Sequence, residues 1–270
     1  MTPSRRSRLA LRGIALGYLG LLLAAPVGLV FYRTFQHGLG PVWDAITTPE
    51  ALHALRMTLL MVIVAVPANT VFGVVTAIAL VRHRFPGRAL VNALIDLPFA
   101  VSPVVIGLAL ILVYGENGWF GSWLAERGIQ VIFATPGMIL ATIFVSLPFV
   151  VREVQPVLRE IGTEQEQAAA TLGASSFQTF WRITLPSIRW ALTYGIVLAT
   201  ARALGEFGAL SVVSGNIQGQ TETMTLFVEQ RFREFDLTGA YAASVVLAVL
   251  AIGTLLSMNL LNRRRRRLAS

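Results

Sequence analysis

Six long apolar runs constrain this chain more than any other feature: 13–32, 57–81, 89–114, 129–151, 190–213 and 237–261. Each is about 20 residues or longer, enough for a helix rising ~1.5 Å per residue to cross the ~30 Å hydrocarbon core of a bilayer. Lipid offers no partner to a backbone N–H or C=O, so each run must satisfy its own polar groups as a helix. The expected fold is therefore all-α, a polytopic membrane protein with six transmembrane helices. With 55% of its 270 residues hydrophobic and 13% charged, a soluble domain would lack polar surface.

Arginine sets the orientation. All 22 basic residues are arginine. If six spans alternate, one side collects Arg5, Arg6, Arg8, Arg12, Arg82, Arg84, Arg88, Arg152, Arg159, Arg182, Arg189 and the run at 263–267. The other side collects only Arg33, Arg56, Arg127, Arg231 and Arg233. Positive charge stays inside, so both termini and the loop 152–189 are expected in the cytoplasm. The expected organisation is a basic N-terminus (1–12), one transmembrane domain (13–261) holding that loop, and a basic tail (262–270). The net charge of +8 then reflects topology and contact with anionic lipid. A nucleic-acid site is not expected, because the arginine tail abuts a span directly. The charged start resembles a signal peptide, but the length of the first run favours a retained span.

There is no cysteine, which excludes disulfides and thiolate metal sites. His37, His53 and His83 fall in expected loops and form no ligand cluster. No grouping of serine, histidine and acid suggests catalysis, so neither an enzyme nor a metal site is expected. Pro26, Pro67, Pro98, Pro103, Pro136 and Pro148 lie within spans, either as ordinary kinks or as breaks lining a path. The pair Pro98 and Pro103, with Ser102 between, favours a break.

The loop 152–189 contains TEQEQAAATLGASSFQTFWRITLP, from Thr163 to Pro186. Thr163 with Glu166 fits a capping box, and Glu164 and Glu166 suit the positive end of a helix. Ala168, Ala169, Ala170 and Leu172 continue that helix, and Gly173 is placed to end it with a left-handed cap. Ser175 with Gln178 forms a second box, opening a helix through Phe177, Phe180, Trp181 and Ile183 that Pro186 would end. One reading is an amphipathic pair lying on the membrane surface. The first helix is acidic and alanine-rich, which suits a protein partner better than anionic lipid.

This stretch resembles the EAA loop of ABC-importer permeases, whose pattern is E-A-A, three residues, G, nine residues, I-x-L-P. Ala168, Ala169, Gly173, Ile183, Leu185 and Pro186 match in full spacing. Gln167 stands where the pattern has its glutamate, and Glu166 lies one residue earlier, about 100° around the helix. Two further segments, LPFAVSPVVIGLAL (97–110) and ARALGEFGALSVVSGNIQGQTETMTLFVE (201–229), resemble the W-type permease of sulfate/thiosulfate importers.

The resemblance implies a permease that passes sulfate or thiosulfate by alternating access. It implies a cytoplasmic ABC ATPase dimer, docked through Glu166, Gln167, Ala168, Ala169, Gly173, Ile183, Leu185 and Pro186. It also implies a second, T-type permease subunit and a periplasmic sulfate/thiosulfate-binding protein. ATP and Mg belong to the ATPase partner. The chain itself contains no lysine, so it lacks a standard P-loop and binds no such cofactor. Molybdate or tungstate transport is the alternative within this class. A non-transporting membrane scaffold or an intramembrane enzyme would be alternatives outside it, and both leave the patterned loop unexplained.

Charges inside spans are costly, so those present need reasons. Arg202 and Glu206 are spaced i,i+4 and can neutralise each other on one helix face. They serve either as a structural pair or as a device by which Arg202 helps an oxyanion cross. The segment GEFG (205–208) could loosen the helix and expose N–H groups. Ser102, Ser211, Ser214 and Asn216 are candidate donors along an anion pathway. Asp96 would repel an anion, and is expected to be an anchor.

Overall fold

The computed structural model describes residues 5–268, with side chains described for 11–256 apart from Leu23. The arginines at 5, 6, 8 and 263–267, read from sequence as basic ends, have side chains outside the described residues. The first run forms α1 (Arg5–Leu19), one π turn (Gly20–Ala24) and α2 (Ala25–Phe35). Then come α3 (Leu39–Ile46), α4 (Pro49–Arg82), α5 (Arg88–Ala100), α6 (Pro103–Tyr114) and α7 (Gly121–Ala125). The second half comprises α8 (Thr135–Glu160), α9 (Glu164–Thr171), α10 (Ser176–Thr179), a second π turn (Phe180–Thr184), α11 (Leu185–Leu204), α12 (Leu210–Val213), α13 (Met224–Arg233) and α14 (Leu237–Leu268). No strand occurs among the described residues.

Four helical stretches are long and apolar enough to cross a membrane: Leu11–Phe35, Pro49–Arg82, Thr135–Glu160 and Leu237–Leu256. The expected run 89–114 makes a fifth only if α5 and α6 count together, because they meet at a bend of 117°. The expected run 190–213 is not one helix either. It ends at Leu204, and Gly205 to Ala209 separate α11 from the short α12. The run 129–151 begins late, at Thr135, yet continues to Glu160, so α8 claims the first residues of the expected loop 152–189.

Most intramembrane prolines are absorbed. Pro67, Pro98, Pro148 and Pro156 sit inside continuous helices, and Pro136 falls in a first turn, where its missing N–H costs nothing. Only Pro103, at the start of α6, marks a break. His53 is not in a loop as expected, but in α4, where its Nε2 lies 3.0 Å from the carbonyl of Gln220.

The centre of the molecule is the trio α4, α8 and α11. Val74, Ala77, Leu80, Val150, Val151, Val154, Leu158, Ile188 and Ala199 form one buried cluster between them. Small residues set the spacing. A Cβ on Gly73 of α4 would lie 2.6 Å from Val150 Cγ1, and one on Gly195 of α11 would lie 3.0 Å from Val150 Cα. Val150 is thus gripped between two glycines, the close approach that small residues permit in membrane helices. Asn69 adds a polar tie, donating to the Ile143 carbonyl at 3.0 Å and to Ser146 Oγ at 2.8 Å. Gly73→Leu must push α4 from α8, and overpacking of this kind costs roughly 1–3 kcal/mol. The variant is expected to melt several degrees below wild type in detergent; an unchanged melting temperature would contradict the close contact.

Asp96 behaves as the expected anchor. Arg152 donates through Nε to Asp96 Oδ1 at 2.7 Å, and through its other nitrogens to Gln155 Oε1 (2.9 Å) and the Asn92 carbonyl (3.2 Å). This cluster fastens α5 to α8, so Asp96 carries no unpaired charge.

Candidate functional site

Two places gather the residues singled out in the sequence. The first lies at one end of the bundle, between α8 and α11. Helix α9 ends as its glycine requires: Gly173 has φ +83, its N–H reaches the Ala170 carbonyl (3.0 Å), and the Ala174 N–H reaches that of Ala169 (3.0 Å). This is the Schellman arrangement, and only glycine enters it without strain. The second capping box also forms. The Gln178 N–H donates to Ser175 Oγ at 3.3 Å, while Gln178 Oε1 accepts from the Ser175 N–H at 3.0 Å.

The first capping box does not form. Thr163 has no capping bond to the backbone, and its hydroxyl instead accepts from Gln167 Nε2 at 3.1 Å. Glu166 has a stronger engagement elsewhere. Its Oε2 lies 3.0 Å from Arg82 Nε, and its Oε1 accepts from Arg82 Nη2 (3.2 Å) and Thr184 Oγ1 (2.9 Å). Arg82 also donates through Nη1 to the Leu158 carbonyl at 2.9 Å. The end of α4, the end of α8, α9 and the second π turn are therefore tied at one point. Arg82 and Thr184 were not singled out in the sequence, because their partner is distant along the chain.

Nor does Pro186 end the second helix as expected. It lies in the first turn of α11, just after the π turn closed by the Leu185 N–H on the Phe180 carbonyl. The wider turn makes room for the ring, so α10, the π turn and α11 run on as one rod.

Gln167, Ala168, Gly173 and Pro186 are exposed, Ala169, Ile183 and Leu185 are half-buried, and Glu166 turns inward. Phe180 packs on the central core, whereas Leu172 (88% exposed), Phe177 (72%) and Trp181 (53%) face out. The loop thus presents apolar side chains on a rigid, braced support.

The second place is the break after α11. Arg202 Nη1 lies 2.5 Å from Glu206 Oε2, and the Ala209 N–H donates to Glu206 Oε1 at 2.7 Å. Within the segment 205–208, expected to expose N–H groups, Gly205 and Glu206 still donate to the Ala201 and Ala203 carbonyls (3.3 Å each), and the Ala209 N–H just beyond it is taken by the chain's own carboxylate. Arg202 remains partly exposed and uses one nitrogen on this partner, and its other donors meet no partner among the described residues. The elbow at Ser102 meets this break, because a Cβ on Gly208 would lie 2.9 Å from Pro103 Cβ, and one on Gly107 would lie 2.9 Å from the Ala209 carbonyl.

Ser102 is exposed, and so is Ser211, whose hydroxyl donates to the Gly208 carbonyl at 2.9 Å. Ser214 is different. It is fully buried, its hydroxyl accepts from the Asn216 N–H (3.0 Å), and its carbonyl accepts from Thr221 Oγ1 (2.6 Å). It holds a turn and faces no open space. The structure therefore brings Ser102, Arg202, Glu206 and Ser211 to one region and withdraws Ser214 from it.

Residues 69–267 match the family described as "Binding-protein-dependent transport system inner membrane component". The chain is 53% identical over 251 residues to the sulfate transport system permease protein CysW of Synechocystis sp., covering 93% of this chain and 91% of that one. It is 46% identical to the Escherichia coli K12 protein of the same name, covering 93% and 87%. It is 42% identical to the sulfate transport system permease protein CysT of Escherichia coli K12, covering 93% and 91%. In shape it is similar to a chain of a bacterial ABC transporter involved in the import of the acidic polysaccharide alginate, with a TM-score of 0.79, 17% identity and 96% of each chain covered.

Proposed function

The chain belongs to the family of binding-protein-dependent transport system inner membrane components, and from that premise we propose that it is the permease subunit of an ATP-driven importer of sulfate or thiosulfate. The observation that carries the reading is the braced loop: an exposed apolar surface at Leu172, Phe177 and Trp181, bonded through Glu166 to α4 and to the π turn that leads into α11. A push on α9 would be passed to three of the main helices at once. Relatives named for sulfate at 53% and 46% identity favour sulfate over molybdate or tungstate.

In this reading six crossings are α1–α2, α4, α5–α6, α8, α11 and α14. An even number returns both termini to one side, and the arginine asymmetry makes that side the cytoplasm. The region 13–261 is the membrane domain, and the segment between α8 and α11 is its cytoplasmic coupling loop. The partner on that loop is an ABC ATPase dimer carrying ATP and Mg. Gln167, Ala168, Ala169 and Gly173 supply the docking face, Ile183, Leu185 and Pro186 the rod behind it, and Glu166 the brace. Likeness to both CysW and CysT supports a heterodimer with a T-type permease. A periplasmic sulfate/thiosulfate-binding protein delivers the anion. Arg202, with Ser102 and Ser211, offers donors to it, and Glu206 holds Arg202 in place.

Uptake of radiolabelled sulfate tests the substrate. Cells lacking this chain, and any second sulfate importer, should lose uptake, and restoring the chain should return it with little inhibition by excess molybdate. Intact uptake in the deletion would overturn the sulfate reading. Gly173→Asp tests the docking: it puts a side chain at a left-handed position that glycine occupies without strain, and adds a charge to an apolar face. Uptake should fall about tenfold or more, the effect of losing some 1.4 kcal/mol at an interface, while the protein stays in the membrane. Normal uptake by that variant would count against this face.

A further inference from the structure

Glu222 has no role in the reading above. It lies between α12 and α13, outside the candidate crossing helices. Its side chain is 0% exposed, and neither carboxylate oxygen has a hydrogen-bond partner among the described residues. Its neighbours in sequence are all engaged. The Gln220 carbonyl meets His53, and Thr221 Oγ1 donates to the Ser214 carbonyl and accepts from the Ile217 N–H at 3.2 Å. The Met224 N–H donates to Thr58 Oγ1 on α4 at 2.8 Å, and Thr225 Oγ1 donates to the Glu206 carbonyl at 2.7 Å. Residues 220–225 form a strap that joins α4 to the break after α11, and one carboxyl in it is buried with no hydrogen-bond partner among the described residues.

A buried carboxylate without donors is costly as an anion, whereas the neutral acid is tolerated. We propose that Glu222 is a proton-binding site, and that its proton sets how firmly the strap holds α4 to the break at 205–209. The charged groups around it come from few elements. Glu50, in the first turn of α4, raises its affinity for a proton, as does Glu234 beyond α13. Arg231 on α13 lowers it, but shares its charge with Glu234 (3.7 Å) and Asp236 (3.8 Å). His53 on α4 is committed to Gln220, and α14 carries no charged residue between 237 and 256.

Burial, the largest cause, pushes the Glu222 pKa up from 4.5 to about 7. Raised in the closed strap and ordinary in the open one, it favours closure fully below about 4.5. That contribution is lost as pH rises to about 7. Opening therefore grows with pH across this window and levels off above it.

Hydrogen exchange of the full chain in lipid nanodiscs reads the opening directly, on peptides spanning 214–225 and corrected for intrinsic base catalysis. In wild type, opening should rise on the order of tenfold or more between about pH 5 and about pH 7. Glu222→Gln, neutral at every pH, should show a flat, protected profile. A flat wild-type profile overturns the proposal, as does a Glu222→Gln profile as steep as wild type. If the glutamine variant does not insert, Glu222→Leu serves as the neutral control, with the same two outcomes. The reading does not depend on sulfate transport, and uptake plays no part in the test.

Discussion

Glu206→Ala is expected to remove most of the folded protein from the membrane. Glu206 is 1% exposed, and its two oxygens serve Arg202 and the Ala209 N–H. Deleting one partner of a buried pair leaves the other charge uncompensated, at a cost of about 3–5 kcal/mol. A lone arginine near the middle of a bilayer carries a similar penalty, about 2.5–3.5 kcal/mol. Glu206→Ala also strips the cap from α12. Against a total stability of roughly 5–15 kcal/mol, this is a large fraction. Membrane levels and melting temperature should both fall sharply. Arg202→Gln should be at least as harmful, because it strands the more buried of the two charges. The double variant Arg202→Gln/Glu206→Gln removes both charges while keeping amides that can bond, so folding should return in large part. Uptake then separates the two roles of the pair. A structural pair predicts that transport returns with folding; an anion-handling Arg202 predicts folded protein that does not transport. Wild-type levels of Glu206→Ala would sink the whole account of this break.

How far the sequence reveals this structure depends on the range of each interaction. The apolar runs locate the main helices because lipid imposes a length and a backbone rule on each of them. The glycine stop at Gly173 and the box at Ser175 and Gln178 are legible because each closes within a few residues. Thr163 with Glu166 has the same local pattern but fails, because Arg82, at the far end of another helix, outcompetes a cap. The sequence pattern of Glu166 cannot show a partner that arrives only when α4 packs on α8. The breaks after α5 and α11 are legible in part, because Pro98 and Pro103 flank Ser102 and GEFG (205–208) interrupts the fifth run, whereas the angle and packing of each break are not. Both segments are largely apolar despite Asp96 and Arg202, and the breaks fall where Glu206 accepts from the Ala209 N–H and where Pro103 packs against Gly208. Ser214 has the composition of a pathway donor, and only the turn built with Asn216 and Thr221 shows that it is sealed. The chemistry of Arg202 and Glu206 as a pair was readable, since their i,i+4 spacing survives in the last turn of α11 and the residue just beyond it.

Arg82→Ala carries the second large effect, and it should appear in coupling more than in insertion. The guanidinium uses three nitrogens at once, on both oxygens of Glu166 and on the Leu158 carbonyl. The side chains are 12% and 21% exposed, so water screens the pair little. Loss of Arg82 frees Glu166 and with it α9, at a cost of about 3 kcal/mol for breaking a mostly buried pair. The central cluster of α4, α8 and α11 does not include Arg82, so the bundle should still assemble. The expected phenotype is protein in the membrane at near-normal levels with sulfate uptake lowered tenfold or more, since about 1.4 kcal/mol already amounts to tenfold. Arg82→Lys should recover only part of the uptake, because an ammonium cannot reproduce the planar fork on a carboxylate. Glu166→Gln keeps an acceptor for Thr184 but loses the charge, and should fall between wild type and Arg82→Ala. Combining Arg82→Ala with Glu166→Gln should add little further loss if both act through one contact. Additive losses would mean that Arg82 works through Leu158 alone, and the loop would then move independently of α4. Normal uptake in Arg82→Ala would show that force reaches the helices by another route, through the continuous rod from α10 into α11.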